Sequence, residues 1–349
     1  MKMKNLWSHE NRDLIRIGIV LLFAGLVGMK QYWEKLSEFL FWELHVKDSG
    51  VDYGFKSAYY DYFQLIDCMF VCFLILIVII GFQLFYQQNQ TEQREWLSSL
   101  PVSKEKMLFG KIGKGIAAYT IPWFVFSVGM VTINNRNYGA IYECYIKDSQ
   151  WKMLLSKAHL DQIWKYLLYV WVILTACYMV VIFWQVVCKN SVAASVFAVG
   201  TCLVPTYTNW LTDMYLAYDK AGQQSIVGIL HKLTGYGIFT GVSQEVFGNI
   251  YGMSVINMPG IVMVFALAAI VVCLGLCGYY GKHEKESTGD LFAARWIRWV
   301  LLCGIVICGA TCMHAMLLHT IYGKMFYLLM IGIVCGIAAV NRVWKKGGY

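Results

Sequence analysis

The chain has 349 residues, of which 58% are hydrophobic and 14% charged, with a formal net charge of +8. A soluble domain carries about 25% charged residues, so a water-soluble fold could not hide this much apolar surface, and no polar stretch is long enough to bury a core of its own. The basic residues collect in particular loops between apolar runs, a placement that argues against a nucleic-acid partner and for a single polytopic membrane domain spanning residues 1–349.

The start, MKMKNLWSHENRDLIR, is basic and precedes an apolar run from Ile17 to Met29. No small-residue cleavage pattern follows, only KQYWEK, so the run reads as a retained first anchor. About 20 mostly apolar residues are needed for a helix to cross the hydrocarbon, where no water satisfies unpaired backbone groups. Eight segments meet that requirement, approximately 14–33, 63–86, 108–133, 166–188, 192–212, 259–280, 296–320 and 325–344. The expected fold is all-α, an integral membrane bundle of about eight helices.

Orientation follows from lysine and arginine placement, because basic residues are retained on the cytoplasmic side. With the N-terminus inside, inner segments hold 17 of the 29 basic residues, and six arginines lie inside against Arg136 alone outside. An even number of spans returns the C-terminal NRVWKKGGY to the same side, so both termini are expected in the cytoplasm.

Outer segments fall near residues 34–62, 134–165 and 213–258 and are rich in aromatics. In YWEKLSEFLFWELHV the residues Trp33, Leu36, Leu40 and Leu44 recur at helical spacing, while Phe39, Phe41 and Trp42 broaden the apolar side. Such a helix either lies in the membrane interface or forms part of a small cap on the outer helix ends.

The longest inner connection, QQNQTEQREWLSSLPVSKEKMLFGKIGKG, follows the second span. Asn89 with Glu92 fits a capping box, and Trp96, Leu97 and Leu100 give a short helix an apolar edge before Pro101 stops it. Ser103 is placed to cap the third span, where Glu105 suits the positive end of the helix dipole. Lys111 and Lys114 sit one turn apart and are expected to snorkel to lipid phosphates. After the sixth span the chain reads YYGKHEKESTGDLFAARWIRWVL, a second basic patch.

These two stretches resemble the inner loops of permease subunits of bacterial ABC transporters of the exporter-type (ABC-2-like) superfamily. The first stretch is carried by Glu92, Arg94, Glu95, Leu100, Pro101, Ser103, Lys104 and Lys111, where an acidic and basic stretch leads to Leu-Pro, then Ser and basic residues. The second is carried by Lys285, Glu286 and Gly289. The resemblance covers about 50 residues, and eight spans depart from the commoner six. It implies that the inner loop between spans 2 and 3 holds an amphipathic coupling helix, with residues Glu92 to Lys104 as the ATPase contact and Trp96 as the apolar anchor. It further implies a separate cytoplasmic ATPase dimer binding ATP and Mg, a second permease subunit, and a bacterial plasma-membrane location.

No GxxxxGK[ST] phosphate loop occurs, and GKIGKG from Gly110 lacks the required order, so no cofactor, catalytic residue or ATP hydrolysis is expected in this chain. HExxH, GxSxG and CxxC are absent too. Of twelve cysteines, all but Cys144 fall in or at the edge of apolar runs, where they read as small packing residues. The pairs Cys68/Cys72, Cys273/Cys277 and Cys308/Cys312 are each four apart and share a helix face. Asp67, His314 and His319 are ionisable groups within spans, and they support a weaker alternative, a membrane-embedded transferase. A ligand-sensing or immunity protein is the third reading. Pro122 and Pro205 are candidate kink positions.

Overall fold

A computed structural model describes residues 3–45, 56–89, 104–147, 163–188, 190–218, 258–282, 303–304 and 307. The described residues form six α-helices and no strand. These are α1 (Met3–His45), α2 (Lys56–Asn89), α3 (Lys104–Lys147), α4 (Ile163–Val187), α5 (Ser191–Tyr218) and α6 (Met258–Lys282). Each contains one of the first six expected spans. The expected spans over 296–320 and 325–344 lie outside the described residues, apart from 303–304 and 307, which are helical.

Three helices carry stretches long and apolar enough to cross a bilayer, over Met69–Tyr86, Lys106–Ala140 and Leu167–Val187. Shorter apolar stretches occupy Ser191–Val204 in α5 and Ala266–Gly278 in α6. Exposed side chains include Ile19 and Phe23 on α1, Ile121, Phe124 and Val128 on α3, and Val192 and Val196 on α5. Apolar surface of this extent is unfavourable in water and suits hydrocarbon.

Two compact units divide the chain, one of Met1–Cys202 with Ile238–Glu284, the other of Leu203–Gly237 with Lys285–Tyr349. The first contains α1 to α4, α6 and the start of α5. In the second, the described residues are the remainder of α5 and residues 303–304 and 307, where Ile307 is exposed.

Within the first unit the pairings fix the direction of each helix. Gly18 faces Ala118, Gly25 faces Phe126, Met29 lies against Gly129, and the Tyr32 hydroxyl donates to Asn134 Oδ1 at 2.7 Å. Both numbers rise together, so α1 and α3 run parallel. The edge-on rings of Phe73 and Trp123, 5.1 Å apart, and the contact of Lys111 with Leu84 run the other way, so α2 is antiparallel to both. Helix α4 descends α3 through Trp123 Nε1 donating to the Leu167 carbonyl, Trp171 Nε1 to Thr120 Oγ1, and the Tyr119 hydroxyl to Thr175 Oγ1.

A tight turn then reverses the chain into α5. Asn190 caps α5, its Oδ1 accepting from the backbone N–H of Val192 at 2.8 Å and of Ala193 at 3.3 Å, two donors that otherwise lack helical partners. The hairpin is tied by Gln185 Nε2 donating to the Ser191 carbonyl and Ser195 Oγ, and by Trp184 Nε1 donating to Thr201 Oγ1. Directions therefore alternate from α1 to α5, as consecutive membrane crossings require. Helix α6 packs on α4 through Ala266, Val172 and Ala176, with Trp171, Ala269 and Ile270 beside them.

Pro122 lies inside α3 and is buried. Its missing N–H leaves the Ala118 carbonyl without its usual helical donor. Gly18 of α1 faces that released carbonyl, where a Cα–H can meet it, and a Cβ there would stand 3.6 Å away, in ordinary contact.

Helices α1 and α3 are much longer than one bilayer crossing requires. With 43 and 44 residues and a rise of about 1.5 Å each, they reach about 65 Å, against a hydrocarbon thickness of about 30 Å. The stretch after Trp33 is therefore neither a separate interfacial helix nor a loop but the continuation of α1 to His45. Nothing between Trp33 and His45 breaks a helix, since neither proline nor glycine occurs there. Tyr32, Leu36 and Leu40 are buried, as the spacing of the leucines predicts, whereas Trp33 is exposed and packs its ring beneath Arg136. Likewise Asn89, expected to open a short separate helix, is the last residue of α2.

Candidate functional site

At the end of the bundle from which residues 90–103 depart, polar contacts join four helices. The alternation of directions collects there the first turns of α3 and α5, the last turns of α2 and α4, and the N-terminal part of α1. Arg12, Arg16, Lys106 and Lys114 belong to this same end, whereas Lys30, Lys35 and Arg136 belong to the other. The six cationic positions that the sequence assigns to the inner side between Arg12 and Lys114 in the described helices thus share one end.

Lys111 is at the centre of the contacts, and it corrects an expectation. Rather than snorkelling outward it is buried, 6% exposed. Its Nζ donates to the Leu84 carbonyl of α2 at 2.6 Å and lies 5.3 Å from the centre of the Phe85 ring. A carbonyl oxygen has two lone pairs, so Leu84 accepts from Lys111 without giving up its helical bond. The C-terminal region of α2 also carries the negative end of the helix dipole, and the ring face attracts a cation. Together these offset part of the cost of withdrawing an ammonium from water. Lys114, one turn away, is half-buried.

The neighbouring residue of α2 holds the next helix. Gln83 Nε2 donates to Asp13 Oδ2 at 3.0 Å, and the other oxygen of Asp13 meets Arg16 Nη1 at 3.3 Å. One turn along α3, the fully buried Tyr178 hydroxyl of α4 donates to the Ile112 carbonyl at 3.2 Å and reaches the carbonyl of Lys111 itself at 3.5 Å. A Cβ at Gly115 would fall on that hydroxyl, so the absence of a side chain lets α4 approach this closely. Gly110 and Gly113 face open space instead. Residues 83–85 of α2 and 111–115 of α3 thereby tie α1, α2, α3 and α4 into one polar collar. Removing the Tyr178 hydroxyl by Tyr178→Phe is expected to cost about 1 kcal/mol, read as a lower melting temperature of the detergent-solubilised protein, with the tilted ring contact on Tyr119 retained.

Glu92, Arg94, Glu95, Trp96, Leu100, Pro101 and Ser103 lie outside the described residues, as do Lys285, Glu286 and Gly289 and the alternative candidates His314 and His319. Lys104 is the first residue of α3, and Asp67 lies within α2. What the structure adds is the base from which residues 90–103 extend. That base was legible in part: Leu108, Lys111, Gly115, Tyr119, Trp123, Phe126 and Met130 recur at three- and four-residue spacing, and all are buried. Lys111 therefore lies on the inward stripe of α3, a signal stronger than its nearness to the helix end. Its acceptor on α2 has no counterpart in the sequence, because every residue has a carbonyl.

At the opposite end, Tyr32 and Asn134 join α1 to α3, with Asn134 buried and its Nδ2 without a partner. Cys177, Cys188, Cys202, Cys273 and Cys277 are buried, which agrees with their reading as packing residues, while Cys72 is exposed.

No family model, curated protein or solved structure matches the chain.

Proposed function

We propose that this chain is the membrane-spanning permease subunit of an ATP-driven ABC exporter in a bacterial plasma membrane. Its substrate is of the peptide, lipid-like or drug-like class, and a separate cytoplasmic ATPase dimer, which binds ATP and Mg, supplies the energy. A second permease subunit completes the pathway. The observation that carries the reading is the stretch from Glu92 to Lys104, with its Leu100-Pro101 step, set between two antiparallel apolar helices whose adjoining ends are tied together. A short apolar-edged helix at that place, gripped by an ATPase through Trp96, passes a rigid-body push into the bundle. The gathering of basic residues at the same end of α1 and α3 supports its cytoplasmic placement.

The tagged protein in mild detergent is expected to bring down a Walker-type ATPase. Trp96→Ala is expected to weaken that association by about 2 kcal/mol, as loss of a buried aromatic anchor does, and Glu92→Ala to lower the partner's turnover. Purification that never brings an ATPase with the chain, or ATP turnover indifferent to both substitutions, would remove the proposal.

A further inference from the structure

We propose that Lys111 is a positioning residue whose ammonium clamps the end of α2 to the start of α3, so that residues 90–103 are carried on a rigid two-helix base. The consequence for energy coupling rests on the proposed function above, whereas the clamp itself does not.

The geometry is specific. Leu84 lies five residues before the end of α2 and Lys111 seven residues into α3, so the bond stands about 10 Å or less from either departure point. An apolar side chain of similar length would fill this place without desolvating a charge. What the ammonium adds is a directional bond to one particular carbonyl, backed by the Phe85 face. Beside it, Tyr178 holds the adjacent Ile112 carbonyl and Gly115 admits its hydroxyl. The first turns of α3 are thus held by two helices, by α2 through a side chain of α3 and by α4 through a backbone group of α3. A force applied to residues 90–103 then moves α2 and α3 together instead of splaying their ends.

The test uses the full chain in lipid nanodiscs with nitroxides attached through genetically encoded keto side chains at Tyr86 and Phe109, two exposed positions, which leaves the native cysteines untouched. Pulsed electron–electron resonance should give one narrow distance for the otherwise unsubstituted chain. Lys111→Met should broaden it toward longer distances at little change in melting temperature, and Lys111→Arg, which keeps a cationic donor, should restore it. A Lys111→Met distribution that superimposes on the parent overturns the clamp, as does failure of Lys111→Arg to narrow it. Should Lys111→Met fail to fold, Lys111→Gln removes the ammonium and shortens the reach to Leu84 while keeping a polar end, and an unbroadened distribution there also overturns the clamp. With the co-purified ATPase, Lys111→Met should weaken association about tenfold, the fold-change equivalent to about one net hydrogen bond. Unchanged affinity with a broadened distance overturns the positioning role and leaves the proposed function standing. An unsubstituted chain that captures no ATPase removes the proposed function and leaves the clamp to be decided by the distances.

Discussion

Replacing Gly115 by alanine is expected to destabilise the bundle by about 2 kcal/mol, although alanine is the better helix former. The helix preference alone favours the substitution by about 1 kcal/mol. Against it, the new Cβ coincides with the Tyr178 hydroxyl. Either α4 retreats from α3, at an overpacking cost of about 1–3 kcal/mol, or Tyr178 turns away and forfeits its bond to the Ile112 carbonyl, about 1 kcal/mol more. Gly113→Ala is the control: nothing lies within 4 Å of a Cβ there, so helix preference acts unopposed and the melting temperature should hold or rise. In Gly115→Ala combined with Tyr178→Phe the loss should be smaller than the sum of the two, because the second change removes the nearest of the atoms that the first displaces and the bond to Ile112 can be lost only once. The ring edge still crowds the new Cβ. A Gly115→Ala protein as heat-resistant in detergent as its parent would mean that α3 and α4 do not meet at this point.

Charge reversal at the clamp should be at least as damaging. In Lys111→Glu a carboxylate faces the Leu84 carbonyl oxygen and the ring of Phe85, and all three present negative charge to one another. Neither the Leu84 carbonyl nor the Phe85 ring can donate to the carboxylate, and a buried charge facing such partners costs on the order of 3 kcal/mol or more. Protein extracted in mild detergent should therefore elute as aggregate or melt far below its parent, while Lys111→Met remains monodisperse. The contrast separates burial from surface exposure. A lysine extended to lipid phosphates, as the sequence suggests for this residue, would tolerate glutamate with an effect below about 1 kcal/mol. Size-exclusion profiles of the three proteins before and after heating distinguish the two outcomes.

The first six apolar stretches are visible in the sequence because hydrophobic runs of that length have few other uses; each coincides with a described helix, and three of those helices are long and apolar enough to cross a bilayer. Helix ends were less legible. Apolar content marks where lipid lies and not where a helix stops, so the continuations of α1 to His45 and of α3 to Lys147 escape a reading by hydropathy, even though the leucine spacing after Trp33 announces a helical face. Lys111 shows a related difficulty. Two lysines one turn apart at a helix end look alike by hydropathy, and only the packing stripe through Gly115 and Tyr119 separates the buried one from its half-buried neighbour.

By itself the sequence determined that the chain is helical, that its helices suit a bilayer, and that basic residues concentrate between particular apolar runs. Those properties depend on composition and on the distance along one strand of backbone. Tertiary structure decided which faces meet: the parallel pairing of α1 with α3 through Gly18, Gly25 and Gly129, the descent of α4 along α3 through a ladder of tryptophan, tyrosine and threonine hydroxyl contacts, and the inward turn of Lys111. In hydrocarbon every apolar face is equally content with lipid, so pairing is set by close approach at glycines and by a few hydrogen bonds. Their acceptors are often backbone carbonyls, which any sequence supplies at every position and none can single out.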